Sequence, residues 1–173
     1  MERKQRFPIW VVGSDKFAPF LWGNPDDAGA GGLIRDDNGQ WILGFATNIG
    51  YTTAAVAELW GVLTGLEQAW HLEYCRVDLE MDSKVVRDII VSADPATLHL
   101  AMLIDHIRDL LNRDWSVQVH HIYREGNGRA YWMARATLTL SVGLHVFHNP
   151  PTFLGLLLFG DIVGPIMPLL VTC

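Results

Sequence analysis

The 173-residue chain is half apolar and 18% charged, which excludes wholesale disorder and leaves room for one domain with a real hydrophobic core. Its net charge of −6 excludes a global electrostatic reason to coat nucleic acid, since such binding draws on Lys and Arg neutralising phosphates. Cys75 and Cys173 lie far apart without a Cys-x-x-Cys, which fits a reduced intracellular setting, nucleus or cytoplasm, with buried or incidental thiols.

Residues 1–22 carry little pattern beyond a candidate strand at Ile9–Val12 and an apolar run, Phe17–Trp22, broken by Pro19. The opening Met-Glu-Arg-Lys-Gln-Arg leads to no clear cleavage site and does not read as a secretory signal. Gly23 to Gly32 is turn-rich, and a strand follows it rather than a helix. A phosphate cradle would need a strand-to-helix junction, so close backbone packing explains these glycines better. Asn38-Gly39 between two apolar runs predicts a hairpin, because both residues tolerate positive φ.

Thr52 or Thr53 can cap a helix over about Ala54–His71, with Val56, Leu59, Leu63, Leu66 and Trp70 as its buried stripe. Glu58 lies beside that stripe. A capping box would require Ser or Thr at position 55, which is Ala55, so Glu58 is either a dipole-stabilising acid or a functional one. Arg76–Asp82 alternates, with Val77, Leu79 and Met81 on one face and Asp78, Glu80 and Asp82 on the other. Asp82 reads as an N-cap of the short helix Lys84–Ile90, as part of a solvated face, or as a ligand. A helix followed by a returning strand brings Glu58 and Asp82 together, and two converging carboxylates at a sheet end suit a divalent cation.

Asp94-Pro95 breaks the chain before a third helix over about Leu98–Leu111. Trp115–Tyr123 alternates as a strand, Arg124–Gly128 is a loop, and a last helix runs over about Arg129–Leu138. Phe153–Cys173 carries one charge, Asp161, but its glycines and prolines and the lack of a basic flank favour a packed or mobile tail over a membrane span. The predicted fold class is α/β with a mixed sheet. The organisation is an N-terminal segment (1–22), a domain (23–138) and an apolar tail (139–173). No zinc-ligand spacing joins Cys75 to the histidines, and no serine–histidine–acid signature stands out.

Gly23-Asn-Pro, Ala30–Asp36, Ala57-Glu-Leu-Trp-Gly61, Asp82-Ser-Lys84, His121–Glu125 and Asn127, in this order, resemble the type 1 ribonuclease H domain. The closest form is the plant retroelement-derived, reverse-transcriptase-associated kind, and Gly143–Pro151 resembles its C-terminal pattern. The resemblance spans roughly residues 23–171. It implies a five-stranded mixed sheet flanked by helices, a Mg²⁺ cofactor, and an RNA–DNA hybrid as partner, cut in its RNA strand.

Of the family's four carboxylates, Glu58 and Asp82 match two. The first aspartate ends the first strand in the family. Asp15 is the acid available here, nine residues before Asn24, and it serves only if Lys16–Trp22 bulges as an insertion. The fourth carboxylate, four residues after Asn127, is replaced by Tyr131, whose phenol is poor Mg²⁺ chemistry. Lys84, Arg124, Asn127 and Arg129, with Arg135, are the candidate substrate contacts, against a reading as ordinary surface charge. His120 and His121 read as structural, with Tyr123 or the backbone as partners. The resemblance implies an impaired hybrid ribonuclease, a non-catalytic nucleic-acid or protein interaction module, or a retroelement remnant.

Overall fold

The computed structural model describes residues 7–15, 26–92, 100–123 and 128–152, apart from the side chains at 10, 12–15, 26 and 138. Strands β1 (Phe7–Asp15), β2 (Asp26–Arg35) and β3 (Trp41–Thr52) form an antiparallel meander. The hairpin expected at Asn38-Gly39 is present, but only Gly39 takes a positive φ, 77°. The Gly39 amide donates to the Asp36 carbonyl and the Asp36 amide to the Gln40 carbonyl, so a type I turn closed by a left-handed glycine replaces the tighter two-residue turn. The Asp36 carboxylate drives this choice by accepting from the Asn38 amide at 3.0 Å and the Gln40 amide at 2.7 Å.

Helix α1 (Ala54–His71) follows, with Thr53 capping the Val56 amide. β4 (Arg76–Met81) then returns parallel to β1, α2 (Lys84–Val91) and α3 (Ala101–Leu111) cross over, and β5 (Ser116–His121) pairs parallel with β4. Helix α4 (Gly128–Ala136) runs into a 3-10 turn at Thr137–Thr139 and leads to β6 (Gly143–Phe147), antiparallel to β3. The sheet order is β5-β4-β1-β2-β3-β6. It has six strands where the sequence predicts five, because Gly143–Phe147, read as part of the tail, adds one to the β3 edge. The earlier span question concerns residues 153–173, which lie outside the described residues. Among the described residues no helix is long and apolar enough to cross a membrane.

Two sheet faces divide the labour. Ile9, Val11, Ile34, Phe45, Val77, Leu79 and Met81 point to one face and meet Leu59, Val62, Leu63 and Leu66 of α1 in the main core. The α1 stripe is rotated from the expected one. Val62 and Ala69 are fully buried while Val56 and Trp70 are only half-buried, because Gly65 lets the helix lie close over Ile9, Val11 and Phe45.

On the other face α4 crosses β2, resting on Gly31, while Gly29 lies under the Thr137 side chain of the 3-10 turn. The close-packing reading holds for both glycines, the partner being the α4 backbone at Gly31 and a threonine side chain at Gly29. Asn48 fastens the end of α4 to the sheet. Its side-chain amide donates to the carbonyls of Thr137 (3.2 Å) and Leu140 (2.9 Å), and its oxygen accepts from the Gly50 amide (3.0 Å). A β-bulge, at which the β2–β3 ladder skips Ile49, aims it there. Asn48→Ala strips partners from three part-buried backbone groups and is expected to cost about 1–3 kcal/mol in urea unfolding.

Candidate functional site

At the carboxyl end of β4 two of the predicted acids, Glu58 and Asp82, come close through the Asp82–Ser83 peptide. Glu58 sits in the second turn of α1, only 6% exposed. Its Oε1 accepts from the Ser83 amide at 3.0 Å, so the carboxylate rests on the peptide linking Asp82 to Ser83. Met81 points into the core beneath α1, and Glu58 reaches from α1 to the peptide that follows Met81 and Asp82 in the chain. Glu58 and Asp82, 24 positions apart in sequence, are thus neighbours in space.

Ser83, rather than Asp82, caps α2, its hydroxyl accepting from the Val86 amide at 3.2 Å. Asp82 is half-buried and released from that capping duty. Glu58 in turn satisfies the Ser83 amide, so the two residues divide the polar groups of this helix start.

The strand register sets the third position. β1 and β4 pair Ile9 with Leu79 and Val11 with Met81, where the ladder ends, so position 12 and Asp82 are the residues that follow its last pair. That position is Val12. Asp15 pairs with Ala28 of β2, three residues further on, or about 10 Å along an extended strand. The sequence held a signal for this. Ile9 and Val11 alternate in phase with Val77, Leu79 and Met81, and matching the two apolar sets aligns 12 with 82.

Tyr131 lies on α4, half-buried, with the Arg135 guanidinium 3.5 Å from its hydroxyl and 5.8 Å from its ring centroid. Arg129 is not ordinary surface charge. It is 8% exposed, and its guanidinium is pushed down to about 10 by burial first and by the nearby charge of Arg35 second. Arg35 itself is 6% exposed, and burial lowers it too. Lys84 is 73% exposed and pairs with Asp88 at 3.1 Å. Arg124 and Asn127 lie outside the described residues. His121 stacks edge-on with Tyr123, the structural pairing expected of it.

Among the described residues no three His, Cys, Asp or Glu side chains are grouped to hold a metal ion. A cavity of about 860 Å³, lined by Phe7, Tyr74, Cys75, Arg76 and Trp115, opens at the amino ends of the same strands and contains none of the predicted site residues. Its Cys75 is a free, exposed thiol, which fits the incidental of the two expected roles rather than the buried one.

A model of the reverse transcriptase-like family matches residues 21–137. A curated Arabidopsis thaliana protein, provisionally named as a ribonuclease H protein, is 40% identical over 146 residues, covering 84% of this chain. This chain spans 24%, about a quarter, of that relative's length. Among solved structures, the RNase H1 of the archaeon Halobacterium salinarum superposes with a TM-score of 0.67 at 24% identity, covering 78% of this chain and 98% of that one. LC11-RNase H1, solved in complex with an RNA/DNA hybrid, superposes at 0.64 and 24% identity, covering 75% and 94%. At such identities the two structures speak for the fold.

Proposed function

The chain belongs to the reverse transcriptase-like family and has a ribonuclease H fold, and from that premise we propose that it is a nucleic-acid-binding domain descended from a Mg²⁺-dependent hybrid ribonuclease of a plant retroelement, with an incomplete carboxylate set. One observation carries this reading: the Glu58 carboxylate lies on the Asp82–Ser83 peptide, while the adjoining strand position is a valine.

Two carboxylates at a sheet end match the way Mg²⁺ is usually held, by one or two acids with water and substrate phosphate completing the shell. Glu58 and Asp82 would hold the ion, and when bound it supplies Lewis-acid polarisation of a phosphate oxygen and a more acidic water. The protein's own share is orientation. The Ser83 amide fixes Glu58, and the α2 N-terminus beside it adds a positive dipole end where a phosphate would approach. Lys84 in the first turn of α2 is exposed and free to swing toward that phosphate once it leaves Asp88. Asp15, three residues past position 12, takes no part in this reading, and Tyr131 replaces a charge with a phenol.

Cleavage of a labelled RNA–DNA hybrid under a Mg²⁺ titration tests the proposal. Wild type is expected to cut weakly, and Asp82→Asn to remove what cutting there is. The double variant Val12→Asp/Tyr131→Asp is expected to raise the rate about tenfold or more, since each added carboxylate supports charge stabilisation by the metal. Cleavage unaffected by Asp82→Asn would end the assignment of this site. No gain from the double variant would show that more than ligands has been lost.

A further inference from the structure

Helix α4 turns an aromatic face to solvent where its buried face grips β2. Arg129, Ala130, Met133 and Ala134 are buried, which leaves Tyr131, Trp132 and Arg135 on the outer side at helical spacing. Trp132 is 41% exposed. The Arg135 guanidinium stands 5.3 Å from the Trp132 ring centroid and 5.8 Å from that of Tyr131, and the two rings meet edge-on at 6.2 Å. One cation therefore organises two rings into a single patch.

We propose that Tyr131, Trp132 and Arg135 form a stacking platform for an unpaired base of single-stranded nucleic acid, with Arg135 reaching the adjoining phosphate. This rests on the nucleic-acid reading above and extends it to a contact that needs no metal. Chemistry favours this occupant. A flat apolar protein surface would cover the guanidinium and strip its water without offering a charge in return. A nucleotide provides a π-face for the indole and an anion for the guanidinium in one unit. Paired bases hide their faces inside the helical stack, so a single strand, rather than the duplex part of a hybrid, is the partner. The chain's net charge of −6 sharpens the point, because a general electrostatic grip is missing and stacking has to supply much of the affinity.

The test is fluorescence anisotropy with a short labelled single-stranded RNA of mixed sequence, repeated with the matching DNA and with the matching hybrid, all without divalent metal. Trp132→Ala is expected to weaken single-strand binding about tenfold or more, with Trp132→Phe keeping most of it, since a phenyl ring still stacks. Arg135→Ala is expected to lower the slope of log affinity against log salt by about one. Circular dichroism and urea unfolding verify that each half-exposed substitution leaves the fold intact. If wild type binds RNA and Trp132→Ala binds equally well, the platform is overturned while the nucleic-acid reading stands. If wild type binds neither single strand nor hybrid, the nucleic-acid reading fails and takes the platform with it. Self-association of the wild type that Trp132→Ala abolishes, with RNA affinity unchanged, overturns the platform in favour of a protein interface.

Discussion

Gly31→Val is expected to destabilise the domain by roughly 3 kcal/mol or more, and to release α4 from the sheet. A Cβ at position 31 would lie 2.1 Å from the Ala134 nitrogen and 2.4 Å from the Met133 carbonyl carbon. Both are helix backbone atoms, so no rotamer change relieves the clash and the whole helix must lift. Lifting it uncovers Met133 and Ala134 and pulls on the Asn48 contacts at the end of the helix. Even Gly31→Ala should cost most of this. Gly128→Ala is the control. A Cβ there meets nothing within 4 Å, and the exchange at the helix start is expected to be neutral or to stabilise by about 0.4–1 kcal/mol. Urea unfolding of the three variants checks both the size and the contrast. Equal effects at 31 and 128 would mean that α4 does not rest on β2 as described.

The second large effect is expected at Glu58, where two substitutions separate structure from charge. Glu58→Gln keeps an oxygen for the Ser83 amide, so the fold should hold to within about 1 kcal/mol of wild type. It removes one of the two proposed anionic ligands, and Mg²⁺ affinity is expected to fall at least about tenfold, the lower bound for losing even an outer partner of a metal ligand. Glu58→Ala leaves the Ser83 amide without this acceptor at a nearly buried position and should cost about 1–3 kcal/mol besides. Calorimetric Mg²⁺ titration and urea unfolding, run on both variants, give the two readouts. If Glu58→Gln unfolds as readily as Glu58→Ala while Mg²⁺ affinity is unmoved, the charge serves the fold alone and the metal reading of this residue falls.

Much of this arrangement can be read along the chain because its elements follow local rules. Alternation at Arg76–Met81, the helical spacing of Leu59, Leu63 and Leu66, and the Asn-Gly turn each depend on residues within a few positions of one another. They were enough to place Glu58 near the start of a helix and Asp82 at the end of the strand after it. What escaped is non-local. α1 settled a little around its axis because Gly65 allowed a closer approach to Ile9, 56 positions earlier. Arg129 read as a candidate substrate contact or as surface charge, since nothing near it in sequence reveals that it is buried beside Arg35, 94 positions earlier.

The sequence by itself determined the fold class, the family pattern, the likeness of Glu58 and Asp82 to two members of a four-acid set, and the phenol at position 131. Periodicity, turn chemistry and residue type are carried by the chain wherever it goes. Only the tertiary structure decided that Glu58 rests on the Asp82–Ser83 peptide, that Ser83 is the cap, and that Val11 pairs with Met81 at the end of the β1–β4 ladder. Register between β1 and β4 is a choice among pairings some 70 residues apart, settled when Ile9 and Val11 share a core with Leu79 and Met81. A slip of one residue would turn those side chains to the wrong face, so burial of the whole set selects the alignment that ends with Val11 beside Met81.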